Sequence, residues 1–245
     1  AILGIRKVDS QLPLQVQVTL DANGRMLLGS DIRAVLAILE GMPINVIGIN
    51  CSTGPDLMRE PISILGQFSS LPVSCLPNAG IPINRDGKAI YPLTPQDFAN
   101  QLIDFVHQYH INVIGGCCGT TAQHLHQLVD KLGSQPAPIR PNQKNAWLAS
   151  AIHALPMHQE PAPLIIGERL NTQGSREFKA IVLSRDWQGA LTIAQDQTAN
   201  GAHALDLCTA LTEESSEIDT MQHLVKALSP AVDAPLVIDS TDPAV

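Results

Sequence analysis

Aromatic side chains are scarce in this chain: Phe, Trp and Tyr make up 3% of its 245 residues. That scarcity excludes a platform on which single-stranded nucleic acid stacks its bases. Positive charge is also short, with 15 Lys and Arg against 23 Asp and Glu and a net charge of −8. A surface for nucleic acid or anionic lipid needs clustered cations, so neither partner is expected. No apolar run approaches the roughly 20 residues that cross a bilayer, and the first residues carry no secretory leader pattern. The five cysteines form an odd set, placed on apolar runs rather than in a loop-rich, Cys-dense framework. Reduced thiols and a cytoplasmic address follow as expectations.

What remains is an ordinary globular composition, 44% hydrophobic and 16% charged, arranged in a repeating order. Residues 13–20 alternate around Val16 and Val18 and predict a strand. Ile32, Val35, Leu36 and Leu39 have helical spacing behind Ser30 and Asp31, either of which can cap. Gly41 and Pro43 end that helix, and the apolar run 44–50 predicts the next strand. A helix over 56–68 follows despite Pro61, then a strand over 71–76. A loop reaches to about 93 and holds Asn84, Arg85, Asp86 and Gly87. Thr94 and Pro95 open a helix with Phe98, Leu102, Phe105 and Val106 on its inner face. A strand over 111–115 and a helix through Leu132 complete this part. Prolines then dominate, and residues 135–162 read as a linker with a short helix over 144–154. A second series follows: strand 164–167, helices 175–183 and 186–200, strand 203–207, helix 214–228 and strand 235–239.

Strand, loop and helix in repetition imply right-handed parallel βαβ units. The chemically distinctive residues follow strand ends, where (β/α)8 barrels place their active sites. A doubly wound open sheet has the same local pattern, and periodicity does not separate the two. Four units before the linker and three after it are too few to close eight strands. The expected fold is therefore α/β of TIM-barrel type. Residues 1–134 would be the C-terminal half of one barrel, and 163–245 the N-terminal part of a second. The chain starts within apparent structure and stops just after a strand, so it reads as a segment of something longer.

One stretch organises the chemistry, Gly115-Gly116-Cys117-Cys118-Gly119-Thr120. Two adjacent thiols cannot easily bridge each other, but from a tight turn both can reach one metal. Cys51 ends a second apolar run and is the third candidate ligand. Three soft sulfur ligands without an obvious fourth point to zinc with an open coordination position. The plain alternative, buried cysteines acting as small apolar residues, fits Cys75 and Cys208 better. His107, His110, His124 and His126 lie on or beside helices whose inner positions are filled, so most should face solvent. Glu213, Glu214 and Glu217 read as the acidic first turn of a helix rather than a cation site.

The Gly48-Ile49-Asn50-Cys51 strand end and the 115–120 turn resemble the homocysteine-binding domain of zinc-dependent homocysteine methyltransferases. Thr19-Leu20-Asp21, Gly24-Arg25, Gly29 and Pro77-Asn78-Ala79-Gly80 fit the same domain. Gly167-Glu168-Arg169-Leu170-Asn171, residues 200–206 and Ile238-Asp239-Ser240-Thr241 resemble the pterin-binding barrel of methyltetrahydrofolate:corrinoid methyltransferases and dihydropteroate synthase. The two in this order are similar to the cobalamin-dependent methionine synthase family. The resemblance implies zinc on Cys51, Cys117 and Cys118, homocysteine near Asn78, and methyltetrahydrofolate on the second domain. It also implies cobalamin on a further domain outside this chain. Asp206 and Asp239, at successive strand ends, would accept N–H bonds from a pterin edge, and Asn171 would add a donor and an acceptor. One position departs from the family pattern: Cys208 stands where an Asn is usual. Glu168 and Arg169 read as an ion pair holding the barrel mouth. Two other readings remain in view: a cobalamin-independent homocysteine methyltransferase using a sulfonium or betaine donor, and a non-catalytic zinc or ligand-binding segment.

Overall fold

The computed structural model describes residues 1–140, 145–211 and 216–245. The chain divides into two compact units, Ala1–Asn145 and Ala146–Val245. The first unit contains α1 (Ile2–Val8), β1 (Gln15–Val18), α2 (Ile32–Leu39), β2 (Val46–Asn50), α3 (Pro55–Phe68) and β3 (Val73–Leu76). It continues with β4 (Ile83–Arg85), β5 (Lys88–Ile90), α4 (Pro95–Tyr109), β6 (Val113–Ile114) and α5 (Ala122–Leu132). Strands β1, β2, β3 and β6 pair in that order, all parallel. Their loops therefore leave from one edge of the sheet.

Local chemistry explains the helix starts. The Asp31 carboxylate accepts the Ala34 N–H at the head of α2, and the Thr94 hydroxyl accepts from Asp97 N–H ahead of Pro95. Both satisfy a donor that a helix start leaves orphaned. On α4, Phe98, Leu102, Phe105 and Val106 recur at helical spacing and are buried. They join Leu36, Ile47, Ile49, Met58, Ile62, Leu65 and Val73 in the core. Each such side chain contributes about 1.5–3 kcal/mol by leaving water.

The second unit contains β7 (Trp147–Ala149), β8 (Ala154–Pro156), β9 (Ile166–Asn171), α6 (Arg176–Ser184), α7 (Trp187–Ala199), β10 (Ala204–Cys208), α8 (Glu217–Leu228) and β11 (Leu236–Ile238). A parallel sheet runs β11-β10-β9, and Leu170, Phe178, Val182, Ile193, Leu205, Leu207, Met221 and Leu224 pack between it and the helices. Both units are thus α/β with parallel sheets.

Several local expectations give way. The loop to residue 93 contains an antiparallel hairpin, β4–β5, turned by Asp86 and Gly87 at φ 53° and 77°. Two consecutive positive φ values are what a two-residue hairpin turn requires. The helix expected over 144–154 is a second hairpin in its described part, pairing Trp147 with Pro156. Residue 144 lies outside the described residues, as do Glu213 and Glu214 of the acidic cluster. Glu217, however, does open α8. The expected strand 164–167 begins later, and β9 takes in Gly167 to Asn171. Helix α1 appears where none was expected; none of its residues is buried, so it has no apolar stripe to read.

The start of the Pro-rich stretch is tied down. Arg140 donates to Leu65 O at 2.9 Å, Ser69 O at 2.5 Å and His110 O at 3.4 Å. Asn112 donates to Pro138 O at 2.7 Å, and Asn145 to Phe68 O at 2.6 Å. Apart from Pro138 O, these carbonyls lie in the last turn of α3 or just past the ends of α3 and α4, where helices leave acceptors short of partners.

Candidate metal centre

Cys51 follows β2, Asn78 follows β3, and Cys117 and Cys118 follow β6. In sheet order these strands are β2-β3-β6, so the three turns meet at one edge. Backbone bonds lace them together. Cys51 N–H donates to Leu76 O at 3.0 Å, Asn78 N–H to Thr53 O at 3.0 Å, and Cys117 N–H to Pro77 O at 2.8 Å. Ala79 N–H donates to Cys118 O at 2.9 Å. The buried Asn78 side chain accepts the Cys118 N–H at 3.0 Å. A Cβ on Gly54 would stand 2.8 Å from Gly80 Cα, so only glycine lets the two turns pack this closely.

The sequence-predicted ligands converge. Cys51 Sγ lies 3.8 Å from Cys118 Sγ, and Cys117 Sγ lies 3.9 Å from Cys118 Sγ. All three sulfurs fall within 4.8 Å of one another, the one such group of three or more His, Cys, Asp or Glu among the described residues. Four tetrahedral ligands at a zinc–sulfur distance of about 2.3 Å place their sulfurs about 3.8 Å apart. The donor set and its spacing therefore fit zinc. Backbone strain accompanies the arrangement, because Cys51 and Ser52 both sit at φ 62°. That left-handed region costs a non-glycine residue about 1–3 kcal/mol, and such strain gathers at functional sites.

The electrostatics are uneven. The Ser52 N–H, and behind it the neighbouring thiols and Asn78, hold Cys51 below the ordinary thiol value. Burial, reinforced by the Cys51 and Cys118 sulfurs, pushes Cys117 up to about 11. The cluster accepts one negative charge readily and resists more. A cation among the sulfurs would remove that resistance. Tyr91, which sequence reasoning passes over, faces the same sulfurs. Burial first, and then the Cys118 thiol, hold its phenol above the usual tyrosine range.

The other cysteines behave as packing residues. Cys75 is fully buried, 4.0 Å from Met58 Sδ, and burial raises its thiol strongly. Cys208 is buried at the end of β10, also raised chiefly by burial. Among the histidines, His124 departs from expectation. It is buried, with ring nitrogens 2.8 Å from Thr121 Oγ1 and 3.0 Å from Leu93 O. It closes a capping box at α5.

In the second unit Asn171 ends β9 and Asp239 follows β11, whereas Asp206, expected at a strand end, lies within β10; the three side chains nevertheless come together. Asn171 Nδ2 donates to Asp206 Oδ2 at 3.1 Å and to Asp239 Oδ2 at 3.4 Å. Asn171 Oδ1 meanwhile accepts from Gln173 N–H at 2.9 Å, which fixes the amide's orientation. The expected Glu168–Arg169 pair gives way to other partners. Arg169 bonds Asp196 at 2.5 Å and Glu177 at 3.4 Å, since neighbours along a strand point to opposite faces.

The first unit is a parallel α/β protein with a three-thiol centre at its strand ends. The homocysteine S-methyltransferase family matches residues 1–132, more than half of the chain, and the chain belongs to that family. The pterin binding enzyme family matches residues 167–245. The methionine synthase of Mycobacterium tuberculosis (strain ATCC 25618 / H37Rv) is 36% identical over 249 residues, covering 100% of this chain. That of Mycobacterium leprae (strain TN) is 38% identical over 251 residues, covering 99%. The chain spans about a fifth of the length of these curated relatives, 21% in each case. The crystal structure of the homocysteine methyltransferase MmuM from Escherichia coli, oxidised form, matches over 52% of this chain and 39% of its own. Its 22% identity and TM-score of 0.41 are too low to add to the fold assignment. Among the described residues no helix is long and apolar enough to cross a membrane.

Proposed function

We propose that this chain is the homocysteine- and folate-binding region of a cobalamin-dependent methionine synthase. On this reading residues 1–134 form the C-terminal half of one (β/α)8 barrel and 163–245 the N-terminal part of a second, with 135–162 as the connection. The reaction served is methyl transfer from methyltetrahydrofolate to homocysteine, giving methionine. Cobalamin, the methyl carrier, belongs to a domain of the same protein outside residues 1–245. The free cysteines suit a reducing, cytoplasmic setting.

Cys51, Cys117 and Cys118 hold zinc, and the 3.8 and 3.9 Å sulfur separations are the observation that carries the reading. Zinc bound there keeps an incoming thiol anionic at neutral pH, where a free thiol with pKa near 8.5 is mostly protonated. The chain's own residues prepare the site. The Ser52 N–H favours a thiolate at Cys51, Asn78 orders the Cys118 backbone beside the homocysteine, and the laced turns keep the sulfurs from spreading. In the second unit Asp239, Asp206 and Asn171 bind the aminopyrimidinone edge of the pterin. Asp239, the more exposed carboxylate, accepts its N–H pair. A sulfonium or betaine donor would leave residues 167–245 without a role.

X-ray absorption on the zinc-loaded chain tests this. The expected shell is three sulfurs and one light atom, becoming four sulfurs on adding homocysteine. Four protein sulfurs without homocysteine, or no metal after anaerobic purification, would overturn it.

A further inference from the structure

The final glycine of the 115–119 turn supplies no ligand, yet its surroundings account for it. Gly119 takes φ +76°, and a Cβ there would stand 2.1 Å from Tyr91 Cγ and 2.4 Å from Tyr91 Cβ. The Tyr91 side chain therefore lies on the bare backbone next to Cys118. Its seat is braced from several directions. Leu93 N–H donates to Ala79 O at 3.0 Å, and Leu93 O lies 3.0 Å from His124 Nε2. Ala79 in turn holds the Cys118 carbonyl, and Pro92 lies against Gly80, with Cδ 3.1 Å from where a Cβ there would be. Tyr91 is thus fastened to the β3 turn, the β6 turn and the head of α5. Tyr91 is half-buried and close enough to the three sulfurs, Cys118 foremost, for them to add to burial in holding its phenol above the usual range.

We propose that Tyr91 is a positioning residue of the three-sulfur centre: its ring walls the Cys118 side, and its hydroxyl donates to the Cys118 sulfur. The inference rests on the reading of the cysteines as a zinc site. Three thiolates around a divalent ion leave an excess negative charge, and an O–H donor on one sulfur draws part of it away. Losing a group that hydrogen-bonds to a metal ligand typically costs about 10–100-fold in metal affinity. Gly119 is then required twice, for its left-handed backbone and for the space the tyrosine occupies.

Cobalt(II) loading reads this without an activity assay. The wild-type chain should show sulfur-to-cobalt charge-transfer absorption. Tyr91→Phe should keep its intensity, move it to lower energy, and yield the metal to a chelator about tenfold more readily. Tyr91→Ala and Gly119→Ala should exceed that change, because the wall is lost too. Identical spectra and chelator curves for wild type and Tyr91→Phe would overturn the role of the hydroxyl. A wild-type chain with no thiolate band would instead overturn the metal reading. Alkylation of the metal-free chain, mapped by mass spectrometry, then decides Tyr91: Tyr91→Phe must alter the rate at Cys118 more than at Cys117, and equal effects overturn it.

Discussion

The two units face the same placement problem with different ligands, and the sheet order explains how each solves it. In the second unit Asn171, Asp206 and Asp239 come from three strands adjacent in the sheet, β9, β10 and β11. Neighbouring strands lie about 4.8 Å apart, within reach of ordinary side chains, so adjacency in the sheet suffices; the β9–β10 register shifts between Leu205 and Leu207, but none of the three residues takes left-handed backbone. In the first unit β3 separates β2 from β6. The cysteine-bearing strands are then about 10 Å apart by the same spacing, yet their sulfurs come within 3.8 Å. The turns must lean over the end of β3. Left-handed backbone at Cys51 and Ser52 and the bonds through Leu76, Pro77 and Asn78 are the means. Strain and lacing thus mark the centre whose ligands the sheet does not bring together unaided.

The largest test of that contrast removes a sulfur. Cys51→Ala, Cys117→Ala or Cys118→Ala should each reduce bound zinc from stoichiometric to trace by elemental analysis, while leaving pterin binding intact. The mirror experiment is Asp239→Ala, expected to weaken pterin binding about 10–100-fold by calorimetry, or about 1.4–2.8 kcal/mol. Zinc content should not move. If either change crosses into the other unit's readout, the two sites are not the independent constructions described.

Asn78→Ala tests the lacing itself. It orphans the Cys118 N–H, at a cost of about 1–3 kcal/mol, and should lower both the melting temperature and zinc retention. A pH series sharpens the electrostatic side. Cys117, pushed up to about 11 from an ordinary 9.0, holds its proton more tightly folded than unfolded. Its contribution to stability is complete below pH 9 and is lost as pH rises through 11. Cys51, held below 9.0, acts in the opposite sense: its contribution is present above pH 9 and lost as pH falls through its folded value. Cys117 has the large shift, so the metal-free chain should melt lower as pH climbs from 9 to 11. The zinc-loaded chain, with sulfurs already deprotonated, should not. The smallest effect belongs to Cys75→Ala, about 1 kcal/mol from a lost buried contact with Met58. Zinc content should stay constant there.

How legible these features were depended on whether their cause was local. The start of α4 was readable because Thr94, Pro95 and the spacing of Phe98, Leu102 and Phe105 act within a few residues. The β4–β5 hairpin escaped notice although Asp86-Gly87 is a turn signal. Its flanking residues are all exposed, so no alternation of buried and exposed positions frames it. Residues 167–171 look like a loop because Glu168 and Arg169 are polar, and pairing with β10 makes them a strand. Likewise the hairpin of Trp147 and Pro156 rests on a partner strand rather than on periodicity. At the centre, the adjacency of Cys117 and Cys118 singled them out. Tyr91 had no such mark, because nothing near it in the chain shows that its ring will rest on Gly119.

The sequence by itself determined the donor atoms, their positions after apolar runs, and the alternation of strands and helices, because all of these follow from side-chain chemistry and short-range spacing. The tertiary structure alone decided that Cys51 reaches Cys118 across an intervening strand, that Asn78 braces the turn, that Arg169 pairs with Asp196, and that Tyr91 faces the sulfurs. Those contacts join residues tens of positions apart. Their distances are set by sheet order and turn geometry, which no window along the chain contains.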